Sequence, residues 1–332
     1  MANNVMAGAL LTAGLRSEFI NVWEPSYKAL TADFGDILWL SATSDKLTEI
    51  YAFLESTPYP ERWDRGNKIA SKSMKSVQFS VTNRDWGFRI YYHSNDVGDD
   101  QTKSLMAKVR ELGRNWIILE EEIIFQFIQG STNARLLPAV PNSSDSVALY
   151  SSSTRYGSSG GNQVTETGTS TVQQIITDTM SVYRRYSEFQ NTESQPLLNT
   201  AEAKSLTVVY APELALVMNQ ALTQMTVFGY QAGTSTTDTS TAAAIDNVLY
   251  TAGFNIKPIM SQRITDTSRY FFLRNLPEYK RPIFQQIREG QTEALGNWET
   301  SDHTRDTGEQ YVQFKNRAGW GSCVAYATIK LT

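Results

Sequence analysis

Six apolar residues, Leu105, Val109, Leu112, Trp116, Leu119 and Ile123, recur at spacings of 4, 3, 4, 3 and 4. That is one continuous stripe along an α-helix, and it predicts a helix over about residues 99–129. At 1.5 Å rise per residue such a helix spans ~45 Å, longer than a typical globular helix. Ile117, Ile118, Ile124, Phe125 and Phe127 widen the stripe, so the second half needs burial on more than one side. Gly130 supplies a stop. A rod of this length suggests an elongated subunit, which the strands around it make α+β.

The segments around the rod carry different periods. In the first, residues 1–47, Leu15, Phe19, Val22 and Trp23 suit a short amphipathic helix that Pro25 stops or bends. Residues 48–60 look extended, with Ile50, Phe53 and Leu54 ahead of Pro58 and Pro60. Val77, Phe79 and Val81 alternate with polar residues, as do Trp86, Phe88, Ile90 and Tyr92 after Thr82-Asn83-Arg84-Asp85. Two period-2 runs about a short polar turn predict a β-hairpin over 75–93. A hairpin alone is barely stable, so its bulky face is expected to be buried elsewhere.

Beyond the rod, Pro138, Pro141 and a Ser/Gly-rich run predict loops and short strands over 131–168. A second helix is expected at 170–190, a buried strand at Leu206–Tyr210, and a Pro-led helix from Ala211-Pro212-Glu213 to Leu222. Gly229–Thr241 reads as a mobile Ser/Thr-rich loop. Strands are expected at Tyr270–Leu273, Ile283–Ile287, Tyr311–Phe314 and Cys323–Leu331. We find no internal repeat.

Charge and composition exclude several function classes. Thirty Lys and Arg against 34 Asp and Glu give a net charge of -4 and a pI near 5.4, which disfavours a general nucleic-acid binder. The single Cys323 excludes an intramolecular disulfide and any multi-Cys zinc site. Two His, His93 and His303, leave little room for histidine chemistry. No run of ~18 apolar residues exists to cross a membrane. The apolar run Val5–Leu15 lacks a basic region ahead of it, so a secretory signal is not expected. The load of 7 Trp, 16 Tyr and 14 Phe suits extensive packing or interfaces.

Candidate chemistry is thin. Gly157-Ser158-Ser159-Gly160-Gly161 matches the G-x-S-x-G nucleophile elbow, with His303 the available base. The match sits in a Ser/Gly-rich loop without an apolar strand directly ahead, and composition alone produces it. His93, Asp96, Asp99 and Asp100 resemble a metal cluster, but Asp at a helix start caps free N–H groups. Glu120-Glu121-Glu122 points around the rod and cannot form a facing pair. At least one lies near the apolar stripe, and we expect the run to be solvated or paired with a neighbouring chain. Arg62, Trp63, Arg65, Lys68, Lys72 and Lys75 form a patch interrupted by Glu61 and Asp64. It reads as a solvated loop or as a protein–protein contact anchored by Trp63 and Arg62. No catalytic residue, cofactor or metal is assigned.

The order of parts resembles the HK97-fold major capsid proteins of tailed bacteriophages, in particular the Mu-type major head subunit family. The similarity rests on Leu15-Arg16-Ser17-Glu18-Phe19 with Tyr27, on Glu61-Arg62-Trp63-Asp64-Arg65, and on Asn95-Asp96-Val97-Gly98-Asp99-Asp100. Leu112-Gly113-Arg114, Leu206–Glu213 and Phe314-Lys315-Asn316-Arg317-Ala318-Gly319-Trp320-Gly321 complete it, though Gly319 follows Ala318 directly where the family spaces them. Residues 131–168 and 229–250 match nothing in the pattern.

The resemblance implies an N-arm (1–47), an E-loop (48–95), a P-domain (96–199) with its spine helix, an A-domain (200–282) and P-domain return strands (283–332). It implies hexamers and pentamers of one protein forming an icosahedral shell around double-stranded DNA held without sequence-specific binding. It implies localisation in the virion head, assembled in the host cytoplasm without a membrane. Partners would be a separate scaffolding protein, since no long helical prodomain precedes the arm, together with a portal and a decoration protein. Residues expected at the intersubunit interface are Arg62, Trp63, Arg65, Lys68, Val77, Phe79, Trp86 and Phe88. An encapsulin-type nanocompartment of the same fold is the alternative, and a serine hydrolase using Ser159 and His303 is a distant third.

Overall fold

The computed structural model describes residues 2–56, 62, 75–93, 102–131, 133, 136, 139–158, 160–169, 171–191, 193–230, 242–264, 266–295 and 309–332. It opens with one long helix, α1 (Ala2–Asp33). Strands β1 (Leu38–Thr43), β2 (Thr48–Ser56), β3 (Lys75–Thr82) and β4 (Arg84–His93) follow. The rod is α2 (Thr102–Gln129). It ends as the Gly130 stop requires: Gly130 has φ 63°. Its N–H donates to the Phe127 carbonyl, while the Ser131 N–H donates to that of Gln126.

A region of turns carries the short β5 (Gln163–Val164), then α3 (Val172–Glu188) begins on a capping box between Thr171 and Gln174. A second capping box, Asn199 with Glu202, opens α4 (Thr200–Lys204), which runs into β6 (Ser205–Tyr210). A 3-10 turn at Pro212–Leu214 leads to α5 (Ala215–Thr223), then β7 (Thr226–Tyr230) and β8 (Ala242–Asp246). The chain closes with α6 (Val248–Thr251), β9 (Asn255–Met260), β10 (Tyr270–Leu273), β11 (Ile283–Leu295), β12 (Glu309–Ser322) and β13 (Thr328–Leu331).

Two sheets and two ribbons result. The first sheet has the order β1-β11-β12-β4, with β1 parallel to β11 and the other pairs antiparallel. The second has the order β5-β13-β10-β6-β9, its centre wholly buried. β2–β3 and β7–β8 are antiparallel ribbons. The C-terminal half of α2 fills the space between the sheets: Ile123, Ile124, Phe125, Phe127 and Ile128 pack with Tyr270 and Phe272 of one and Ile283, Ala318 and Trp320 of the other. The widened stripe is therefore buried on both sides. α3 and α5 cover the far face of the second sheet through Ile175, Ile176, Tyr186 and Met218.

The structure corrects four expectations. α1 is not short. It continues through Pro25, and its Phe19 is fully buried. The 75–93 hairpin does not exist as such: β3 pairs with β2, while β4 pairs with β12 in the other sheet. The reason is Asn83, which is buried; its side-chain amide donates to the Ser44 hydroxyl and the Lys46 carbonyl, and its N–H to the Leu47 carbonyl. These bonds tie the junction to the β1–β2 turn, so the chain passes between sheets instead of reversing. Third, Cys323–Leu331 is a 3-10 turn plus β13, and β13 joins the second sheet, not the first. Fourth, α4, α6 and β7–β9 had no counterpart in the sequence reading. The proposed acidic cap (96, 99, 100) and the Gly229–Thr241 loop after Tyr230 lie outside the described residues.

Candidate assembly surfaces

Most of the aromatic anchors expected at an interface belong to the subunit's own core. Phe79 is 6% exposed and packs on Tyr51 and Phe284, each at 5.5 Å between ring centres. Phe88 is half-buried between Phe19 (6.2 Å), Trp116 (5.5 Å) and Phe314 (5.3 Å). Trp86 meets Trp320 edge-on at 5.3 Å, and its indole N–H donates to the Ala318 carbonyl. These three residues bury their faces locally, against the expectation that a neighbour must cover them. Arg62 is exposed. Trp63, Arg65 and Lys68, and the side chain of Val77, lie outside the described residues.

The spine stripe divides. Val109, Trp116 and Ile123 are buried, Leu112 and Leu119 half-buried, and the Leu105 side chain lies outside the described residues. α1 lies against α2 at Gly113, where a Cβ would stand 3.3 Å from the Phe19 carbonyl oxygen and 3.4 Å from Val22 Cβ. The glycine costs the helix ~1 kcal/mol in propensity but lets α1 come close. An exposed ion pair, Arg110 Nε to Glu18 Oε2 at 2.6 Å, joins the same two helices and draws the Glu18 pKa down through that hydrogen bond.

The acidic triplet behaves differently from expectation. Glu121 and Glu122 face Arg263 of the same chain at 3.6 and 3.9 Å. Glu120 is 4% exposed and accepts a hydrogen bond from Trp116 Nε1 at 3.2 Å. Burial pushes its carboxyl up to about 8, against the opposing effect of that bond.

The G-x-S-x-G loop is built around a buried arginine. Arg155 donates to Asp145 (2.6 Å), Ser143, Asn162 and the carbonyls of Ala148 and Leu149. Asn162 in turn donates to the carbonyls of Leu149, Ala325 and Thr328, fastening the loop to the chain end. Ser158 donates to the Arg155 carbonyl and is buried. Turns, not a strand and a helix, flank the motif. Ser159 and His303 lie outside the described residues. Among the described residues no group of three or more metal-ligating side chains occurs. No described helix is long and apolar enough to cross a membrane.

What the described surface does offer is apolar. Leu216 on α5 is 70% exposed, Met225 60%, and Val248 and Tyr250 on α6 49% and 56%. All four belong to one stretch of chain, residues 215–251, beside the β7–β8 ribbon. Sequence reasoning missed this stretch because α6 was not foreseen; the signal available was Asn247, whose side chain caps Leu249 and ties α6 to Ala221 and Gln224.

Residues 11–135 match the model of the Mu-like prophage major head subunit gpT. No curated protein matches the sequence. Among solved structures, a chain of Mycobacterium phage Patience superposes with a TM-score of 0.54 at 11% identity, over 95% of this chain and 87% of its own. The capsid of an empty GTA particle gives 0.53 at 8% identity, over 91% and 89%. A virus-like particle from Pyrococcus furiosus gives 0.52 at 10% identity, over 96% and 98%. The chain has the fold of the tailed-phage major capsid proteins and, over residues 11–135, the pattern of the Mu-like major head subunit, as its order of parts led us to expect.

Proposed function

We propose that this chain is the repeating subunit of a phage head, assembling as hexamers and pentamers into a closed icosahedral shell around double-stranded DNA. One observation carries the reading: a capsid fold along almost the whole chain coincides with a major-head-subunit pattern over residues 11–135. In this proposal the second sheet with α3, α5 and α6 is the A-domain, and Leu216, Met225, Val248 and Tyr250 meet adjacent copies. The first sheet with α2 is the P-domain, α1 with β1 the N-arm, and the β2–β3 ribbon the E-loop. β4 then leaves the E-loop, which shrinks to about residues 48–82. The net charge of -4 suits a wall that encloses DNA without gluing it. A separate scaffolding protein, a portal and a decoration protein are the expected partners, the host cytoplasm the place of assembly, and no catalytic role is assigned.

The test is direct. Purified protein, with or without its scaffold, should give closed shells in negative-stain micrographs and a large species in light scattering. A strictly monomeric globule under every condition would sink the idea. The encapsulin-type reading shares the fold, and the match over residues 11–135 favours the phage head. Nuclease-protected DNA inside particles would separate the two, because a nanocompartment would hold protein instead.

A further inference from the structure

A buried carboxyl with no cation beside it among the described residues calls for explanation, and Glu120 is one. It lies in the middle of α2, where α1 and the first sheet close over it. α1 contributes Tyr27, whose hydroxyl sits 3.5 Å from Gln285 Oε1 of β11 and whose phenol is pushed up by burial first and by the Glu120 charge second. One turn back on α1, Trp23 stacks on Tyr27 with ring centres 5.0 Å apart, and its indole nitrogen is buried without an acceptor. α2 contributes the Trp116 indole N–H. Burial dominates the Glu120 carboxyl, Trp116 opposes it, and among the described residues no Lys or Arg acts on it. Nothing in this set neutralises a carboxylate, so the charged form is disfavoured while α1 is in place.

We propose that Glu120 is a protonation latch for the N-terminal helix: its carboxyl keeps its proton while α1 lies on α2, and releases it to solvent when α1 lifts away. The sign follows from linkage. Exposed, Glu120 returns to the ordinary range of ~4.3; docked, it is held at about 8. Between these values the docked form carries one more proton. Docking is at full strength below ~4.3, weakens by up to about tenfold per pH unit as the pH rises, and levels off above the docked value. The Arg110–Glu18 pair is exposed and lies at the other end of the contact. It keeps both charges across the upper part of this window and does not reproduce the effect.

The test uses the unassembled full chain and does not rest on the shell reading. Hydrogen exchange of amides 17–33, normalised for the intrinsic pH dependence of exchange, is compared at pH 6 and pH 8. Protection of α1 should fall by up to about fiftyfold, while that of α3 stays constant. In Glu120→Gln, which keeps an acceptor for Trp116 and cannot ionise, α1 should stay protected at both values. Equal α1 protection in the wild type at the two pH values overturns the proposal, whatever the variant does. A protonated-carboxyl infrared band at pH 6 that Glu120→Gln lacks should titrate in the same window; a wild type with no such band at pH 6 also overturns it.

Discussion

Replacing Trp116 with alanine empties the point where α1, α2, β4 and β12 meet. Its ring is 4% exposed and contacts Phe19 edge-on at 6.5 Å and Phe88 at 5.5 Å, with Phe314 stacked on Phe19 behind them at 4.5 Å. Loss of a buried Trp side chain costs ~3–5 kcal/mol, because the cavity adds to the lost transfer energy. The substitution also removes the indole donor that Glu120 uses, which places the cost toward the upper end of that range. With unfolding entropy of ~2.1 cal/mol/K per residue, 332 residues give about 0.7 kcal/mol/K. A loss of about 5 kcal/mol then lowers Tm by about 7 °C. Urea unfolding of the unassembled subunit, followed by circular dichroism, reads the free energy directly. Trp116→Phe keeps an aromatic ring in the cluster while losing the N–H and part of the ring volume, so it should cost less, about 1–2 kcal/mol. Unchanged stability of the alanine variant would show that the ring does not fill this core, and the assignment of α2 as the buried spine would fall with it.

Other perturbations separate folding from assembly. Leu216→Glu with Tyr250→Glu should leave the subunit's melting unchanged within ~0.5 kcal/mol, as surface changes do, yet prevent particles in light scattering. Arg155→Met leaves the Asp145 carboxylate without its main partner and should cost ~3–5 kcal/mol in urea unfolding, with early proteolysis in 142–162. Gly113→Leu should drive α1 from α2 and expose Phe19, read as dye binding and loss of α1 protection; unchanged protection would show that the close approach is not needed. Replacing residues 57–74 by a two-residue turn should abolish shells while leaving a folded subunit, whereas deleting residues 76–92 should unfold it, because Phe79, Val81 and Phe88 serve its core. Arg62→Glu with Arg65→Glu should slow assembly most at low salt.

The sequence was most informative where period and burial coincide. The α2 stripe, the Gly130 stop and the β6 strand were legible because each rests on local rules: a 3.6 period, a left-handed glycine, a run buried on both faces. Strand existence at 75–82 and 84–93 was legible too, but not partnership. Alternation says that a residue faces a core; it does not say which one. Val81 faces Phe284's cluster and Phe88 faces Phe19's, and only Asn83, a polar residue that reads as a turn, marks the change. α1 was underestimated because proline was given its usual weight as a stop, whereas packing of Phe19 and Tyr27 on the spine outweighs one lost amide bond. For Glu120 the sequence showed only that one of three consecutive glutamates lies near the stripe; its burial became legible only with the second helix that covers it. The exposed residues of α6 were missed for a similar reason: a four-residue helix leaves almost no periodic trace.

The root of the β2–β3 ribbon is clamped. Gly319 and Gly321 of β12 lack side chains where Val81 and the Thr82 carbonyl press against them, at 2.7–3.0 Å from where a Cβ would stand. Gln286 of β11 donates to the Val81 carbonyl and to Asn83, and accepts from the Tyr51 hydroxyl at 2.7 Å. Beyond Tyr51 and Phe79 the paired strands continue to Ser56 and Lys75. In mechanical terms this is a cantilever, with a built-in end and a span of ~15 Å from there to the last strand pair at ~3.4 Å per residue. A load applied beyond that pair produces its largest bending moment at the glycine clamp. The torque enters β11 and β12, the long strands of the first sheet, before it reaches the second sheet. A neighbour pulling on this arm would therefore strain the clamp before it disturbed the fold's most buried strands.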